Sequence, residues 1–452
     1  MPGVTKALYS TTREARPETH HYLRPLESAV LQGQAVYRMA EQLKARGFTP
    51  DVVFGHSGWG PTLFIKDIFP KAELLCYFEW FYHAHGTDAD FDPTDRIGSD
   101  DEARIRLKNA PILQDLYSCD RGLSPTHWQR QQFPVEYHDK IAVRHDGVDT
   151  DFFCPKPGAK LVIPRLNLDL SHVDELVTYA TRGMEPYRGF PQFMEAVALL
   201  QERRPNCHVV IAGDDRVAYG KPLANGKTYK QEMLEKLPLD LSRIHFTGSL
   251  PYGEYLQVLQ ASSVHVYLTR PFVLSWSMIE SLATGCLVVG SNTPSVTEVI
   301  EDGVNGLLAD FFSPSEIVAR IEEALNHPNR MNDLRQKARE AVLEKYDLSK
   351  LLPLHLNWIQ QDINQRQIFT MPEAKGFAPL IPNRPTSKPT ETKAKGFAMN
   401  AVSKASEPQF VMIASNNHQD SQDAEAPTEP SEEAVSSGST NRTNKQPNGK
   451  KH

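Results

Sequence analysis

Glu175–Asp215 reads ELVTYATRGMEPYRGFPQFMEAVALLQERRPNCHVVIAGDD, and this stretch decides the fold. Glu175–Thr181 is a strand-length run. Phe190, Phe193, Val197 and Leu200 then recur every three or four residues, the buried stripe of a helix. His208–Ala212 is a second strand, ending at Gly213-Asp214-Asp215. A strand, a helix and a strand in succession specify a parallel βαβ unit.

The alternation continues outward in both directions. Downstream, Ile244–Thr247, Val264–Leu268 and Leu287–Gly290 read as strands. Tyr252–Leu259, Met278–Ala283 and Ser315–Leu325 read as helices, the last opened by the capping box Ser313-Pro314-x-Glu316. Upstream, Asp51–Gly55, Glu73–Phe78 and Ile141–Arg144 are short apolar runs fit for buried strands. His21–Arg46 carries a helical rhythm closed by Gly47. Two such sets, meeting near residues 150–172, predict an α/β protein of two doubly wound domains, 1–155 and 156–345. Their ligands belong beyond the carboxyl ends of the strands, in the cleft between domains. A helical stretch within 346–369 is expected to pack back on the N-terminal domain.

The totals exclude several classes. With 452 residues, 40% apolar and 23% charged, the chain is of ordinary globular composition, and its net charge of −7 gives no support for a nucleic-acid partner. No apolar run approaches the ~20 residues of a membrane span, and Met1-Pro2-Gly3 does not open a secretory signal. Five scattered cysteines, without metal-ligand spacing, read as reduced residues of a cytoplasmic protein. Residues 370–452 differ from the rest. They contain no Trp or Tyr, are rich in Pro, Ser, Thr and Asn, and read as a disordered low-complexity tail. Within it Ala374-Lys-Gly-Phe-Ala378 recurs as Ala394-Lys-Gly-Phe-Ala398. This is either a bivalent docking motif for a protein partner or a low-complexity duplication.

Four separated motifs, in order, carry a family resemblance. Arg144-His-Asp-Gly-Val-Asp-Thr-Asp-Phe152 resembles an interdomain linker, and Arg182-Gly-Met-Glu-Pro-Tyr-Arg188-Gly189 a donor-phosphate segment. Thr247–Leu256 followed by Ser275–Val289 makes the third, and Thr297–Leu307 the fourth. Together they resemble the family 4 (group 1) glycosyltransferases. The resemblance implies the GT-B fold and transfer of a sugar from a nucleotide-sugar such as a UDP- or GDP-sugar, with retention and without metal or cofactor. The acceptor implied is a glycan, a lipid-linked or a small-molecule hydroxyl. Peripheral contact with the inner face of the membrane stays open, because no basic amphipathic helix argues for it. Family members usually have a β-α-β unit ahead of the segment that Pro2–Tyr9 resembles, so the N-terminal domain is expected to lack it.

The candidate donor-binding residues are Arg182, Gly183, Arg188, Ser275, Trp276 and Glu280. A diphosphate leaving group needs cationic groups or helix N–H groups to hold its developing charge, and arginine suits bidentate phosphate contact. Arg182 and Arg188 are alternatively solvated loop residues. Glu280 matches the glutamate that the family sets on the nucleotide ribose, but Ser277-x-x-Glu280 also fits a capping box. The family's first carboxylate, eight residues earlier, is here Phe272, which puts donor identity and catalysis in doubt. Ser275 and Trp276 sit where backbone N–H groups can hold sugar hydroxyls or phosphate. On the N-terminal side Glu79 and His83 are the candidate catalytic residues, with Trp80 and His85 beside them. A carboxylate at a strand's carboxyl end can orient or deprotonate an acceptor hydroxyl; the alternative is a loop glutamate and a structural histidine. His56-Ser-Gly58-Trp59-Gly60 is either a ligand-approach loop or an ordinary turn. A non-catalytic module of the same fold is the competing reading, and a nucleotide-sugar epimerase the third.

Overall fold

The computed structural model describes residues 4–360 and the strand Phe410–Ser415. In the first half, α1 (Arg24–Ala45) precedes β2 (Val52–His56) and β3 (Glu73–Tyr77), β1 being Val4–Tyr9. Then come α2 (Ser99–Lys108), α3 (Ala110–Ser118), β4 (Arg121–Ser124), α4 (His127–Gln131) and β5 (Ile141–Val143). The strands form a parallel sheet in the order β2-β3-β4-β5. Because side chains alternate along β3, Leu74 and Cys76 join Val36, Ile112, Leu116 and Phe133 on one face, while Leu75 and Tyr77 join Leu123 on the other. α1 ends as its sequence dictates: Gly47 takes φ +88°, and Gly47 and Phe48 cap the carbonyls of Lys44 and Leu43.

The second half contains β6 (Leu176–Gly183), α5 (Phe190–Arg203), β7 (His208–Asp214), α6 (Tyr229–Lys236), β8 (Ile244–Gly248) and α7 (Tyr252–Ala261). It continues with β9 (Val264–Tyr267), α8 (Trp276–Ala283), β10 (Val288–Ser291), β11 (Leu307–Ala309), α9 (Pro314–Asn326) and α10 (Pro328–Lys345). Its six-stranded parallel sheet has the order β8-β7-β6-β9-β10-β11. The direction of winding reverses between β6 and β9, which marks the switch point where the strand ends diverge and leave room for a ligand. The largest core lies on one face of this sheet, with Tyr179 stacked on Phe193 at 4.5 Å between centroids.

After α10 the chain returns to the N-terminal domain. Val148 of the linker donates to Tyr346 O and Leu348 N donates to Val148 O, at 2.8 and 3.0 Å. Gly147, at φ +94°, lies where a Cβ would come 3.0 Å from the Leu348 Cα, so the crossing requires glycine. α11 (Leu348–Gln360) then lays Trp358 against Leu75, Tyr77 and Leu123. Arg121 donates to Trp358 O and stands 4.8 Å over its ring.

β1 belongs to a separate two-stranded sheet. It pairs in parallel with β12 (Phe410–Ser415), from Val4 opposite Phe410 to Tyr9 opposite Ser415. This corrects the reading of the tail as structureless for those six residues. Phe-Val-Met-Ile-Ala-Ser is a run of strand-forming residues, too short to stand out in a polar segment but sufficient to satisfy an open strand edge. The repeated pentapeptides and the rest of the tail lie outside the described residues.

Candidate functional site

The carboxyl ends of β6 and β9 meet at the switch point, and the side chains there enclose a recess of about 50 Å³. Tyr179, Thr181, Arg182, Arg188, Tyr267 and Ser275 are among its walls. Arg188 is buried. Its Nη1 donates to Tyr267 OH (3.2 Å), Thr269 Oγ1 (2.8 Å) and Val273 O (3.1 Å), and its guanidinium lies 5.3 Å over Tyr219. It is no solvated loop residue. Gly189, at φ +65°, allows this: a Cβ would stand 2.6 Å from the Leu268 Cβ. Arg182 lines the same recess, and Gly183 ends β6.

A further residue of this segment escaped sequence reasoning. Glu185 is fully buried and accepts from the backbone N–H groups of Ala218, Tyr219 and Gly220 at 2.7–3.2 Å. Burial raises its carboxyl pKa, the three N–H donors working against that rise. It thereby fixes the loop that carries Tyr219 over Arg188.

α8 points its first turn at the recess. Ser275 is the N-cap, its Oγ accepting from Ser277 N at 3.4 Å, and Ser275 N donates to Tyr267 OH at 2.8 Å. The capping role suggested for Glu280 therefore falls to Ser275, and Glu280 sits in the middle of the helix. Only 9% exposed, its carboxyl is pushed up to about 7 by burial, with the Tyr255 hydroxyl opposing the rise. The folded state thus retains a proton that the unfolded chain releases near pH 4.5. Stability is lost as pH rises from there to about 7 and is then level, a cost of about 3 kcal/mol. Glu280→Gln is expected to raise stability by up to ~2 kcal/mol at pH 8 and by under ~1 kcal/mol at pH 5. Urea unfolding at both pH values measures this; an equal gain at each would exclude the protonation explanation.

Phe272, at the position where the family resemblance implies a carboxylate, is 8% exposed. It packs edge-to-face on Trp80 of the N-terminal domain (5.0 Å) and on Tyr187 and Tyr219 (both 5.4 Å). Two residues before it, Arg270 is 3% exposed and pairs with Asp92 (3.2 Å) and Asp95 (3.1 Å) from the other domain. Tyr187 OH donates to Asp88 at 2.7 Å, and Phe91 packs on Phe311 and Phe312. Residues 80–95 therefore cross the cleft and latch onto the C-terminal domain. Glu298 adds a contact, accepting from the N–H groups of His127 and Trp128 at 2.8 and 2.7 Å.

On the opposite wall, Glu79 meets His56 rather than His83. Glu79 Oε2 lies 3.5 Å from His56 Nε2, at the carboxyl ends of neighbouring strands β3 and β2. Burial lowers the His56 pKa, but the Glu79 carboxylate, the Ser57 carbonyl and Asp146 together offset it and the net shift is upward. Asp146 stands beside them, accepting from Tyr77 OH (2.8 Å) and from Trp276 Nε1 (3.0 Å) across the cleft. His83 instead has its Nε2 on Gln132 O at 2.8 Å, and His85 joins Asp90 and Glu102. Gly58 N and Ser57 Oγ both donate to Asp115, so the backbone of that loop is tied inward.

Two Rossmann-like domains facing one cleft, the second with a recess at its switch point, define the GT-B fold. Among solved structures, HepE of Anabaena in complex with UDP-glucose has a TM-score of 0.56 at 14% identity, covering 73% of this chain and 83% of that one. Sucrose-phosphate synthase from Thermosynechococcus elongatus has a TM-score of 0.56 at 16% identity, covering 77% and 81%. The family model described as "Glycosyl transferase family 4 group" matches residues 1–153, and that described as "Glycosyl transferases group 1" matches residues 170–341. The chain belongs to the family 4 (group 1) glycosyltransferases. It is 26% identical over 178 residues to a D-inositol 3-phosphate glycosyltransferase of Corynebacterium glutamicum (39% of this chain, 41% of the relative). Against the protein of the same name from Streptomyces scabiei the identity is 27% over 239 residues, 52% of each. The chain thus spans about two-fifths to one-half of the length of these curated relatives.

Proposed function

We propose that the chain transfers a sugar from a nucleotide-sugar, UDP- or GDP-linked, to a hydroxyl acceptor, with retention of anomeric configuration. The observation that carries this reading is the convergence of Arg182, Arg188 and the first turn of α8 on one recess at the switch point. Two guanidinium groups and helix N–H groups stabilise a departing diphosphate without a divalent cation. Turnover is accordingly expected to survive chelation by EDTA. Glu280, in the next turn of α8, accepts the ribose hydroxyls. Ser275 and Trp276 complete the donor side. The UDP-glucose in the related HepE structure favours UDP. The recess is sized for a phosphate group, and the rest of the donor extends from it into the cleft.

The acceptor lies against the N-terminal wall. His56 and Glu79 form the pair that orients its hydroxyl, with Asp146 reinforcing the cationic form of His56. Glu79→Gln is expected to cut kcat about 10²-fold with nucleotide affinity unchanged. The limb of the pH–rate profile that reports His56 moves to lower pH, because the neighbouring carboxylate no longer raises its pKa. An unshifted profile in the variant would remove His56 from the reaction. The proposal places the reaction in the cytoplasm; among the described residues no helix is long and apolar enough to cross a membrane.

One observation favours the competing reading of a non-catalytic module: the aromatic cluster around Phe272 occupies the place where relatives carry a carboxylate. Titration with UDP and GDP, followed by a hydrolysis and transfer screen with NMR of the product anomer, separates the two. Nucleotide binding without any turnover would select the module.

A further inference from the structure

A second cavity lies beneath the C-terminal domain, at the amino-terminal ends of its strands and thus at the opposite end of the sheet from Arg188. It encloses about 800 Å³, within the range that takes a small organic molecule. Its walls are residues 155–161, the turn before β9, the turn before β10 and one face of α10.

The charges around it do not cancel. Lys160 is matched by Asp174 at 2.9 Å, and Glu175 is taken by Arg204. Glu340, bonded among the described residues only to the neutral Gln336 amide at 2.8 Å, keeps its negative charge, against the three positive charges of Lys156, Arg335 and Arg339. Arg335 and Arg339, one turn apart on α10, are held by uncharged acceptors. Arg335 donates to Ser263 O (2.6 Å) and Asn332 Oδ1 (3.1 Å). Arg339 donates to Phe153 O (3.0 Å), Thr150 O (3.2 Å) and Ala283 O. Among the described residues neither guanidinium has a carboxylate within ion-pair distance, and each retains N–H donors beyond those already engaged. Partial burial lowers the pKa of Arg335, the neighbouring Cys286 opposing the shift. Lys156 is exposed at the mouth, while Leu161, Val173 and Leu325 supply apolar wall.

We propose that this cavity is a second binding site, for a small organic anion whose phosphate-type head sits between Arg335 and Arg339. Two forked donor groups with an ammonium at the entrance match the geometry and charge of a doubly charged oxyanion. The uncharged body of the ligand lies along the leucine and valine wall. Arg339 also holds the interdomain linker at Thr150 and Phe153 and the last turn of α8 at Ala283. A ligand there touches the connection between the domains and the helix that serves the recess. The site is independent of any transferase activity.

The test is hydrogen–deuterium exchange on the full chain with millimolar inorganic pyrophosphate. Protection is expected over 155–161 and 328–343, separable by position from any protection at 182–190. Arg335→Gln should weaken the apparent affinity at this site at least tenfold, equivalent to about 1.4 kcal/mol. Lys156→Glu, on the exposed rim where folding is not at issue, should do the same in direction. Protection at 182–190 is unaffected by either change. Absence of protection over 155–161 and 328–343 in the wild-type chain, or protection there that persists in both variants, would overturn the proposal.

Discussion

Arg188→Ala will weaken binding of UDP or GDP beyond calorimetric detection and reduce turnover by about 10³-fold. The effect is large because this side chain does two things. It brings a permanent positive charge into a buried recess where a diphosphate would develop charge, and low effective dielectric magnifies that contribution. It also satisfies Tyr267 OH, Thr269 Oγ1 and Val273 O together. Alanine leaves Thr269 Oγ1 and the half-buried Val273 O short of a donor while Tyr267 OH keeps that of Ser275 N, about 1–3 kcal/mol for a buried group that finds no substitute. The two consequences separate experimentally. Titration at a temperature where circular dichroism reports a folded variant measures binding alone, and Arg188→Lys keeps the charge while losing the fork. Lysine is therefore expected to restore part of the affinity. Nucleotide affinity equal to wild type in the folded alanine variant would sink the assignment of this recess to a diphosphate.

The second large effect concerns Phe272. Restoring the family's carboxylate by Phe272→Glu is expected to destabilise the chain by about 3–5 kcal/mol and to leave activity no higher. The reason lies in the company the ring keeps: Trp80, Tyr187 and Tyr219 surround it edge-on, and it joins the two domains. A carboxylate there loses the ring contacts and has no cationic partner at its tip, Arg270 being already committed to Asp92 and Asp95. Phe272→Tyr, by contrast, should cost under ~1.5 kcal/mol, since the ring stays in place. Urea unfolding followed by tryptophan fluorescence reads this directly, because Trp80 reports the contact. A stable, more active Phe272→Glu chain would mean that the cluster forms only for want of the acid.

How much of this was legible beforehand follows from sequence separation. The βαβ alternation, the recess residues Arg182 and Arg188 and the start of α8 lie in short segments whose spacing encodes them locally. β4 was not recognised, because Arg-Gly-Leu-Ser carries one large apolar residue and becomes a strand by pairing with β3 and β5 on both sides. Glu280 and the capping box could not be told apart from spacing, since the choice depended on which serine began the helix. Glu185, Arg270 and Asp146 escaped for another reason. Their partners lie 33 to 35, 175 to 178 and 130 residues away along the chain. His83 is the candidate by nearness to Glu79 along the chain, whereas strand order, invisible in one sequence, sets His56 beside it.

The paired crossings at Val148 and Leu348 have a mechanical meaning. The chain passes between the domains there in both directions, and the two passages are hydrogen-bonded to each other, so they turn together as one hinge. A hinge with a single line permits rotation and little sliding. The contacts of Arg270, Tyr187 and Phe272 with residues 80–95 join the same two domains through side chains rather than through the chain itself. Opening the cleft therefore means releasing two ion pairs, the Tyr187–Asp88 hydrogen bond and the ring contacts of Phe272 and Phe91 while the paired crossings stay bonded. Admission of a ligand is then governed by the strength of the latch rather than by the stiffness of the joint.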